Sequence, residues 1–452
     1  MDVRDASRTK VRGYTDRQSV AQGQSLRFHL ANLGGNDLTS LPLRIVKLGI
    51  CEKPVFEAVA TARAQHLPTN GGWENNNWDV GYTLNVGNDW VPGVYAARLG
   101  EPADDSADIF FVVRNAAPAS ATPIVVQIPT TTINAYNNWG GASLYAYNSI
   151  ASPAHAVSFN RPQCADAQWP GGYGFADEWS ARIRAFAYWL EAAGYCADFI
   201  TSNDLHEAKL PQHCRLFISI GHDEYWSREM RDHFDAHIAS GGNAAIFGGN
   251  TCYWQIRLEP DERTGAAGRR QICHRNGDRD PAQDPARKTV TWREADRPEN
   301  LSFGAGFAAG AWKGTGTPRA FKVHRADHWA FFQTGLANGD EFGNALDETL
   351  LCYETNSVDY TYDKQGQPVP TGRDGTPLNY EILALAELPD WQIPGNAAMG
   401  IFTHRQSGGT VFNAATTDWA RGLEACIRDG DCFRTVTAKM TRNVIERLTQ
   451  IK

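Results

Sequence analysis

One segment sets the architecture: Leu216-Phe217-Ile218-Ser219-Ile220-Gly221-His222-Asp223-Glu224-Tyr225-Trp226. Its first part is almost wholly apolar, which is typical of a strand buried in a parallel sheet. Three titratable residues, His222, Asp223 and Glu224, follow directly. Because polar groups in such sheets gather at the carboxyl ends of the strands, we interpret this loop as a candidate active site. In the alternative interpretation, Asp223 and Glu224 cap a helix that begins near Ser227, and His222 is structural.

Strands and helices alternate on both sides of this segment. Strands are predicted at 124–128, 197–200 and 244–247, and helices at 177–193 and 227–239. Such alternation predicts parallel strands joined by right-handed crossovers, in a three-layer α/β domain. Further core segments follow at 381–388, 398–403 and 409–413, and a helix at 434–450.

The chain before this domain has a different pattern. Residues 1–117 alternate apolar and polar side chains over short runs between turn residues, which predicts an all-β sandwich of roughly immunoglobulin type. The boundaries are therefore 1–117 for the sandwich and 118–452 for the α/β catalytic domain. Residues 259–300 are rich in charge and residues 357–379 in Gly, Pro, Asp and Thr, so both are predicted to be surface insertions or lids.

Composition excludes several classes of function. The 43 Lys and Arg against 51 Asp and Glu give a net charge of −8, with no basic stretch to follow a phosphate backbone, so nucleic acid is not expected as a partner. The sequence contains no run of about 18 consecutive apolar residues, so no membrane span is predicted. No apolar leader is visible either, and a cytoplasmic location is therefore expected. Nine cysteines include no CxxC pair. Cys426 and Cys432 could bridge in an oxidising compartment, but the expected location favours thiols.

Two further clusters follow predicted strands. Residues 136–148 contain three tyrosines, three asparagines and Trp139, a composition that suggests packing or a sugar-type stacking surface. Residues 248–254 begin with two glycines, which let the backbone approach a ligand closely. Cys252 in this second cluster would be a nucleophile only if a base lay beside it.

These clusters together resemble a known family. The motifs are Tyr136-Asn137-Asn138-Trp139-Gly140-Gly141-Ala142-Ser143-Leu144-Tyr145, Val157-Ser158-Phe159-Asn160-Arg161-Pro162, Gly221-His222-Asp223-Glu224-Tyr225-Trp226, Gly249-Asn250-Thr251-Cys252-Tyr253-Trp254-Gln255-Ile256-Arg257 and Gly409-Thr410-Val411-Phe412-Asn413-Ala414. In this order, over about residues 120–425, they resemble the large (beta) subunit of N,N-dimethylformamidase and its C-terminal-domain relatives. The resemblance implies a glutamine-amidotransferase-like α/β fold preceded by a β-sandwich.

The resemblance also implies a mononuclear iron centre held by two tyrosinates and one carboxylate. By motif match, the ligands are Tyr136, Glu224 and Tyr145, with Tyr147 as the alternative to Tyr145. Hard anionic oxygen donors suit iron(III) better than copper(I) or a structural zinc. A phenol with a pKa near ~10 ionises at neutral pH only beside a strong positive charge, so the metal would displace the protons.

The same match implies the catalytic residues. His222 and Asn250 correspond to residues around the metal ligands, and Glu354, in Cys352-Tyr353-Glu354, to the remaining acidic residue. His222 or Glu354 would transfer the proton between the attacking water and the departing amine. Asn250 would donate to the developing oxyanion, a contact worth about 3 kcal/mol. The predicted function is hydrolysis of a C–N bond in a linear, small-molecule amide by metal-activated water.

Two alternatives belong to other classes. The chain could be a non-catalytic module that binds a glycan or a protein through its aromatic loops, or a thiol-dependent enzyme of amidotransferase type that uses Cys252. The resemblance also allows a small partner subunit or a homo-oligomer.

Overall fold

The N-terminal strands form one sheet. The computed structural model describes residues 10–66, 68, 71–74, 76–102, 104–116, 122–164, 171–312, 319–346 and 348–450. The strands of this sheet are β1 (Lys10–Thr15), β2 (Ser19–Ala21), β3 (Ser25–Asn32), β4 (Leu38–Lys47), β5 (Pro54–Ala64), β6 (Val80–Asn85), β7 (Gly93–Leu99), β8 (Asp105–Ser106) and β9 (Ile109–Arg114). Strand β5 connects the strands next to β4 with those next to β3, since it pairs antiparallel with β4 and parallel with the end of β3.

Alternate residues of these strands build a separate core. Leu26, Phe28 and Leu30 of β3 are fully buried and pack in one cluster with Ile45 and Phe111. This agrees with the period-two pattern of the sequence. The immunoglobulin-like assignment stays a prediction, and the predicted domain boundary at 117–118 lies outside the described residues.

A second large sheet organises the rest of the chain. The strands after residue 122 are β10 (Ile124–Ile128), β11 (Ala156–Ser158), β12 (Asp198–Thr201), β13 (Leu216–His222), β14 (Tyr225–Ser227), β15 (Asn243–Gly249), β16 (Trp254–Glu259), β17 (Arg270–Ile272), β18 (Phe321–Val323), β19 (Glu341–Phe342), β20 (Asn344–Ala345), β21 (Glu348–Thr349), β22 (Tyr360–Tyr362), β23 (Pro368–Pro370), β24 (Glu381–Leu388), β25 (Gly395–Thr403) and β26 (Thr410–Asn413). The large sheet has the order β12-β10-β13-β15-β26-β25-β24-β18-β19. Its first five strands are parallel. The others are antiparallel, which the sequence did not predict.

Helices cover both faces of this sheet. They are α1 (Thr130–Tyr136), α2 (Phe175–Glu178), α3 (Arg184–Ala192), α4 (Ser202–Glu207), α5 (Arg228–Ala239), α6 (Asn300–Phe303), α7 (Glu424–Asp429) and α8 (Val436–Thr449). On β13, Ile218 packs in the cluster that contains α3, and its neighbour Phe217 packs in the cluster that contains α5. Successive strand residues point to opposite faces, so each helix covers its own side. The glutamine-amidotransferase-like class stays a prediction.

The predicted helix at 177–193 is interrupted. A π-helical turn, Trp179–Ile183, lies between α2 and α3. Such turns are rare in proteins as a whole, but those that occur are often at functional sites. Here the turn follows Glu178, whose carboxylate accepts a hydrogen bond from the amide of His222 at 3.3 Å. The interruption therefore lies next to the loop that the sequence singled out.

The charged segment 259–300 is not a simple surface insertion, so that prediction is wrong for part of its length. Trp292 and Glu299 within it are fully buried. Its charges pair with one another or with the core: Arg257 Nη1 lies 2.8 Å from Asp280 Oδ2. Composition alone indicated solvent exposure because it does not reveal such pairing. The segment also supplies β17 to a small sheet of order β11-β17-β16-β14.

Cys426 and Cys432 form a disulfide, so the prediction of free thiols is wrong. Helix α7 ends at Gly430, whose left-handed φ of 74° turns the chain back. The turn brings the two Cα atoms to 4.1 Å. In the described part of the chain, no helix has the length and apolar character needed to cross a membrane.

Candidate active site

The loop after β13 holds Glu224 in a fixed position. Glu224 is only 3% exposed. Its backbone N–H donates to Thr132 Oγ1 of α1 at 2.9 Å, and its carbonyl accepts from the amide of Tyr253 at 2.8 Å. Ser227 caps α5, because its hydroxyl accepts from the amide of Met230 at 3.2 Å. The alternative in which Asp223 and Glu224 cap this helix is therefore wrong.

Two tyrosine hydroxyls meet the Glu224 carboxylate. Tyr136, the last residue of α1, donates to Glu224 Oε2 at 2.7 Å. Tyr145 Oη lies 2.8 Å from Tyr136 Oη and 2.9 Å from Glu224 Oε1. Tyr147 is 64% exposed, and in the described part of the chain its hydroxyl forms no hydrogen bond. The structure thus brings Tyr145, and not Tyr147, to the carboxylate.

A buried arginine shapes the loop that carries these tyrosines. Arg161 Nη1 donates to the carbonyls of Trp139 at 3.0 Å and Ala142 at 3.1 Å, and Nη2 donates to that of Asn134 at 2.9 Å. Its Nε donates to the carbonyl of Ser158 at 3.1 Å. Burial lowers the pKa of Arg161 to about 9. The rigid fork of a guanidinium suits four such contacts.

Two further side chains complete the cluster, and neither was predicted. Tyr225 Oη donates to Tyr145 Oη at 2.7 Å. Arg275 donates to Tyr225 Oη, and its guanidinium carbon lies 3.8 Å from the centroid of the Tyr145 ring. Tyr225 could have been suspected, since it directly follows Glu224. Arg275 could not, because it comes from the charged segment after β17 and carries no local signal.

The three predicted catalytic residues also converge. His222 Nε2 lies 3.0 Å from Glu354 Oε2 and 3.3 Å from Glu224 Oε2. Asn250 Nδ2 donates to Glu354 Oε2 at 2.9 Å. The other amide atom, Asn250 Oδ1, is buried without a hydrogen-bond partner among the described residues. Asn250 also has a left-handed φ of 46°, which asparagine tolerates better than most residues.

The pKa shifts distinguish the two tyrosines and Glu224 from the His222–Glu354 pair. Burial, followed by the charge of Glu224, raises the pKa of both Tyr136 and Tyr145 well above the ordinary value. Burial also raises the pKa of Glu224. Burial would lower the pKa of His222, but the charge of Glu354 outweighs it and the pKa rises. Conversely, burial would raise the pKa of Glu354, and the charge of His222 outweighs it. His222 and Glu354 thus favour an ion pair.

The donor chemistry fits a small, highly charged cation. Among the described residues, no group of three or more His, Cys, Asp and Glu side chains is arranged to hold a metal. The candidate ligands here include tyrosines instead. They are two phenols, Tyr136 and Tyr145, and one carboxylate, Glu224, and their oxygens lie within hydrogen-bonding distance of one another. Burial and a nearby carboxylate keep these phenols protonated, and a bound cation would reverse that balance. These residues fit the iron(III) that the resemblance implies.

Cys252 lies apart from this chemistry. It is fully buried in an apolar cluster with Trp226 and Phe303. Burial raises its pKa well above the ordinary value, whereas a nucleophilic thiol needs a lowered one. In the described part of the chain, no hydrogen bond or ion pair joins Cys252 to a histidine. This geometry does not favour the thiol-dependent alternative.

Comparison with known proteins defines the class of the chain. A family model described as "N,N-dimethylformamidase beta subunit-like, C-terminal" matches residues 50–432. The chain therefore belongs to this family, as the motifs predicted, and the family name indicates a dimethylformamidase-like hydrolase. No curated protein matches the sequence.

One solved structure that aligns with the chain is a cycloisomaltooligosaccharide glucanotransferase from Paenibacillus sp., complexed with cycloisomaltoheptaose, at 10% identity. The TM-score is 0.18, and the alignment covers 60% of this chain and 35% of that one. The chain thus spans about a third of that protein's length, and a likeness this weak carries no argument.

Proposed function

We propose that the chain is an iron-dependent hydrolase that cleaves the C–N bond of a linear amide. The observation that carries this proposal is the convergence of the Tyr136, Tyr145 and Glu224 oxygens beside the His222–Glu354 pair. Membership of the dimethylformamidase beta subunit-like family supports hydrolase chemistry. Iron(III), when bound by the two tyrosines and Glu224, would supply a Lewis acid that polarises the amide carbonyl and acidifies water.

The residues around these ligands would transfer the proton. Glu354 is the general base, because its lowered pKa keeps it ionised beside His222. It accepts a proton from the attacking water while the water oxygen bonds to the carbonyl carbon. His222, whose raised pKa keeps Nε2 protonated, gives a proton to the nitrogen as the C–N bond breaks. The products are a carboxylic acid and an amine.

Asn250 has a different place in this scheme from the one first predicted. The amide nitrogen Nδ2 carries two N–H groups. One donates to Glu354 and so holds the base, and the other would donate to a developing oxyanion. Its orphaned Oδ1 is an acceptor inside the site. A buried acceptor without a partner is costly, so a ligand or water that donates there is favoured.

Fold class, assembly and location extend the proposal. We infer a glutamine-amidotransferase-like catalytic layer, a cytoplasmic location, and a small partner subunit or a homo-oligomer. The family name, which describes a beta subunit, supports an assembly. A small-molecule amide is the expected substrate.

Metal analysis of Glu224→Ala tests the function. The purified wild-type protein should contain one iron per chain, show a visible phenolate-to-iron charge-transfer band and hydrolyse small amides. Glu224→Ala should lose the iron, the band and turnover while it keeps its fold by circular dichroism. Glu262→Ala, at a side chain that is 74% exposed, is the control and should behave as wild type. A Glu224→Ala protein with full iron and activity would refute the proposal, and an iron-free, inactive wild type would favour the binding-module alternative.

A further inference from the structure

We propose that Trp312 is a positioning residue for Glu354, and that it directs Oε1 of this carboxylate toward the reacting water. The inference rests on the proposed function, in which Glu354 is the general base. The indole Nε1 of Trp312 donates to Glu354 Oε1 at 3.2 Å. Trp312 belongs to none of the motifs that carry the family resemblance.

The two oxygens of Glu354 have different surroundings. Oε2 is shared by His222 Nε2 at 3.0 Å and Asn250 Nδ2 at 2.9 Å. Oε1 accepts only from Trp312 among the hydrogen bonds described for the structure. A carboxylate oxygen has two lone pairs, so Oε1 retains one for a water proton. Together with the two contacts of Oε2, the indole N–H thus sets the rotation of the carboxylate and leaves Oε1 as the basic atom.

Backbone hydrogen bonds to two neighbouring segments hold Trp312 in this position. Ala311 forms an antiparallel bridge with Glu354 itself. The amide of Trp312 donates to the carbonyl of Tyr353 at 2.7 Å, and its carbonyl accepts from Gln392 at 3.1 Å. Trp312 has a left-handed φ of 56°, a conformation that is disfavoured for a residue with a bulky side chain. Such strain clusters at functional sites, where surrounding contacts enforce it.

Burial places the indole at the boundary of the site. Glu354 is 4% exposed, whereas Trp312 is 43% exposed. The large aromatic ring is therefore not needed to fill the core, and its N–H is directed to a buried carboxylate. A role in packing alone would not orient the N–H toward the carboxylate.

Trp312→Phe separates the N–H from the ring. In the iron-loaded protein we expect kcat to fall about 10- to 100-fold, the loss typical of a misplaced catalytic group, with KM within about threefold. Iron content and the charge-transfer band should not change. Trp312→Leu, which also lacks the donor, should show the same loss of kcat. Trp329→Phe, at a half-buried tryptophan outside the site, is the matched control and should keep wild-type kcat.

Crystal structures of wild type and Trp312→Phe give a second readout that needs no activity. The Glu354 carboxylate should rotate away from its wild-type position in the variant. An unchanged carboxylate, or an unchanged kcat, would overturn the inference, and so would a raised KM with wild-type kcat, which would assign the ring to substrate binding. If the wild-type protein lacks amidase activity, the proposed function fails, while the carboxylate position still decides whether Trp312 positions Glu354.

Discussion

Removal of the hydroxyl from Tyr145 or from Tyr147 tests which of the two tyrosines is the metal ligand. Tyr145→Phe keeps the ring, and with it the stacking on Arg275, but removes the hydroxyl. Glu224 Oε1 then loses its contact at 2.9 Å, and no other donor to this oxygen is described. A hydrogen bond to a charged group is worth about 1.5–3 kcal/mol, and a buried acceptor left unpaired costs a similar amount. We therefore expect the metal-free variant to lose about 2–3 kcal/mol of unfolding free energy.

The effect on iron should be larger. Loss of residues that merely support metal ligands typically costs 10- to 100-fold in affinity, so loss of a ligand should cost at least about 100-fold. Urea unfolding of the metal-free protein measures the first quantity, and iron analysis with the visible spectrum measures the second. Tyr147→Phe is the matched control: at 64% exposure it should change stability by less than about 0.5 kcal/mol and keep full iron. Iron loss in Tyr147→Phe, or full iron in Tyr145→Phe, would refute the assignment.

Three further predictions concern the surroundings of the site. Arg161→Lys should destabilise the protein by about 3 kcal/mol in urea unfolding, because an ammonium cannot reproduce four forked bonds to carbonyls; unchanged stability would contradict this. Burial would raise the pKa of Asp280, but hydrogen bonds from Arg257 and Thr289 hold it well below its ordinary value. Asp280→Asn should thus cost about 3 kcal/mol at pH 7, and the difference should shrink as the pH falls below about 4, where the unfolded wild type binds the proton; an equal difference at pH 7 and pH 3 would contradict this. Cys252→Ala should keep turnover within about twofold in an amidase assay, and lost turnover would support thiol chemistry.

Much of the site could be predicted from sequence because its residues follow strands. Glu224 comes after β13 and Asn250 after β15, and these strands are parallel neighbours. Carboxyl ends of adjacent parallel strands meet at one edge, so local pattern was enough to bring these side chains together. The family motifs added the tyrosines. The choice between Tyr145 and Tyr147 needed the structure, since it depends on which ring turns inward.

The remaining contacts are long-range and have no local signature. Arg275 and Trp312 reach the site from segments far along the chain, and neither stands in a motif. The charges of residues 259–300 indicated a surface loop because their partners could not be identified from composition. The disulfide between Cys426 and Cys432 depended on the turn at Gly430, and the expected location pointed the other way.

The contacts of Arg161 have a consequence for which positions of the loop can be exchanged. All four of the bonds described above end on main-chain oxygens, which every amino acid supplies. Side chains of the loop itself add to this support, since Asn148 Nδ2 donates to the carbonyl of Tyr136 at 2.9 Å and Ser149 Oγ donates to that of Tyr145 at 2.6 Å. Tyr147, by contrast, is exposed, so its exchange should leave that path intact, and urea unfolding of a set of Tyr147 variants checks this.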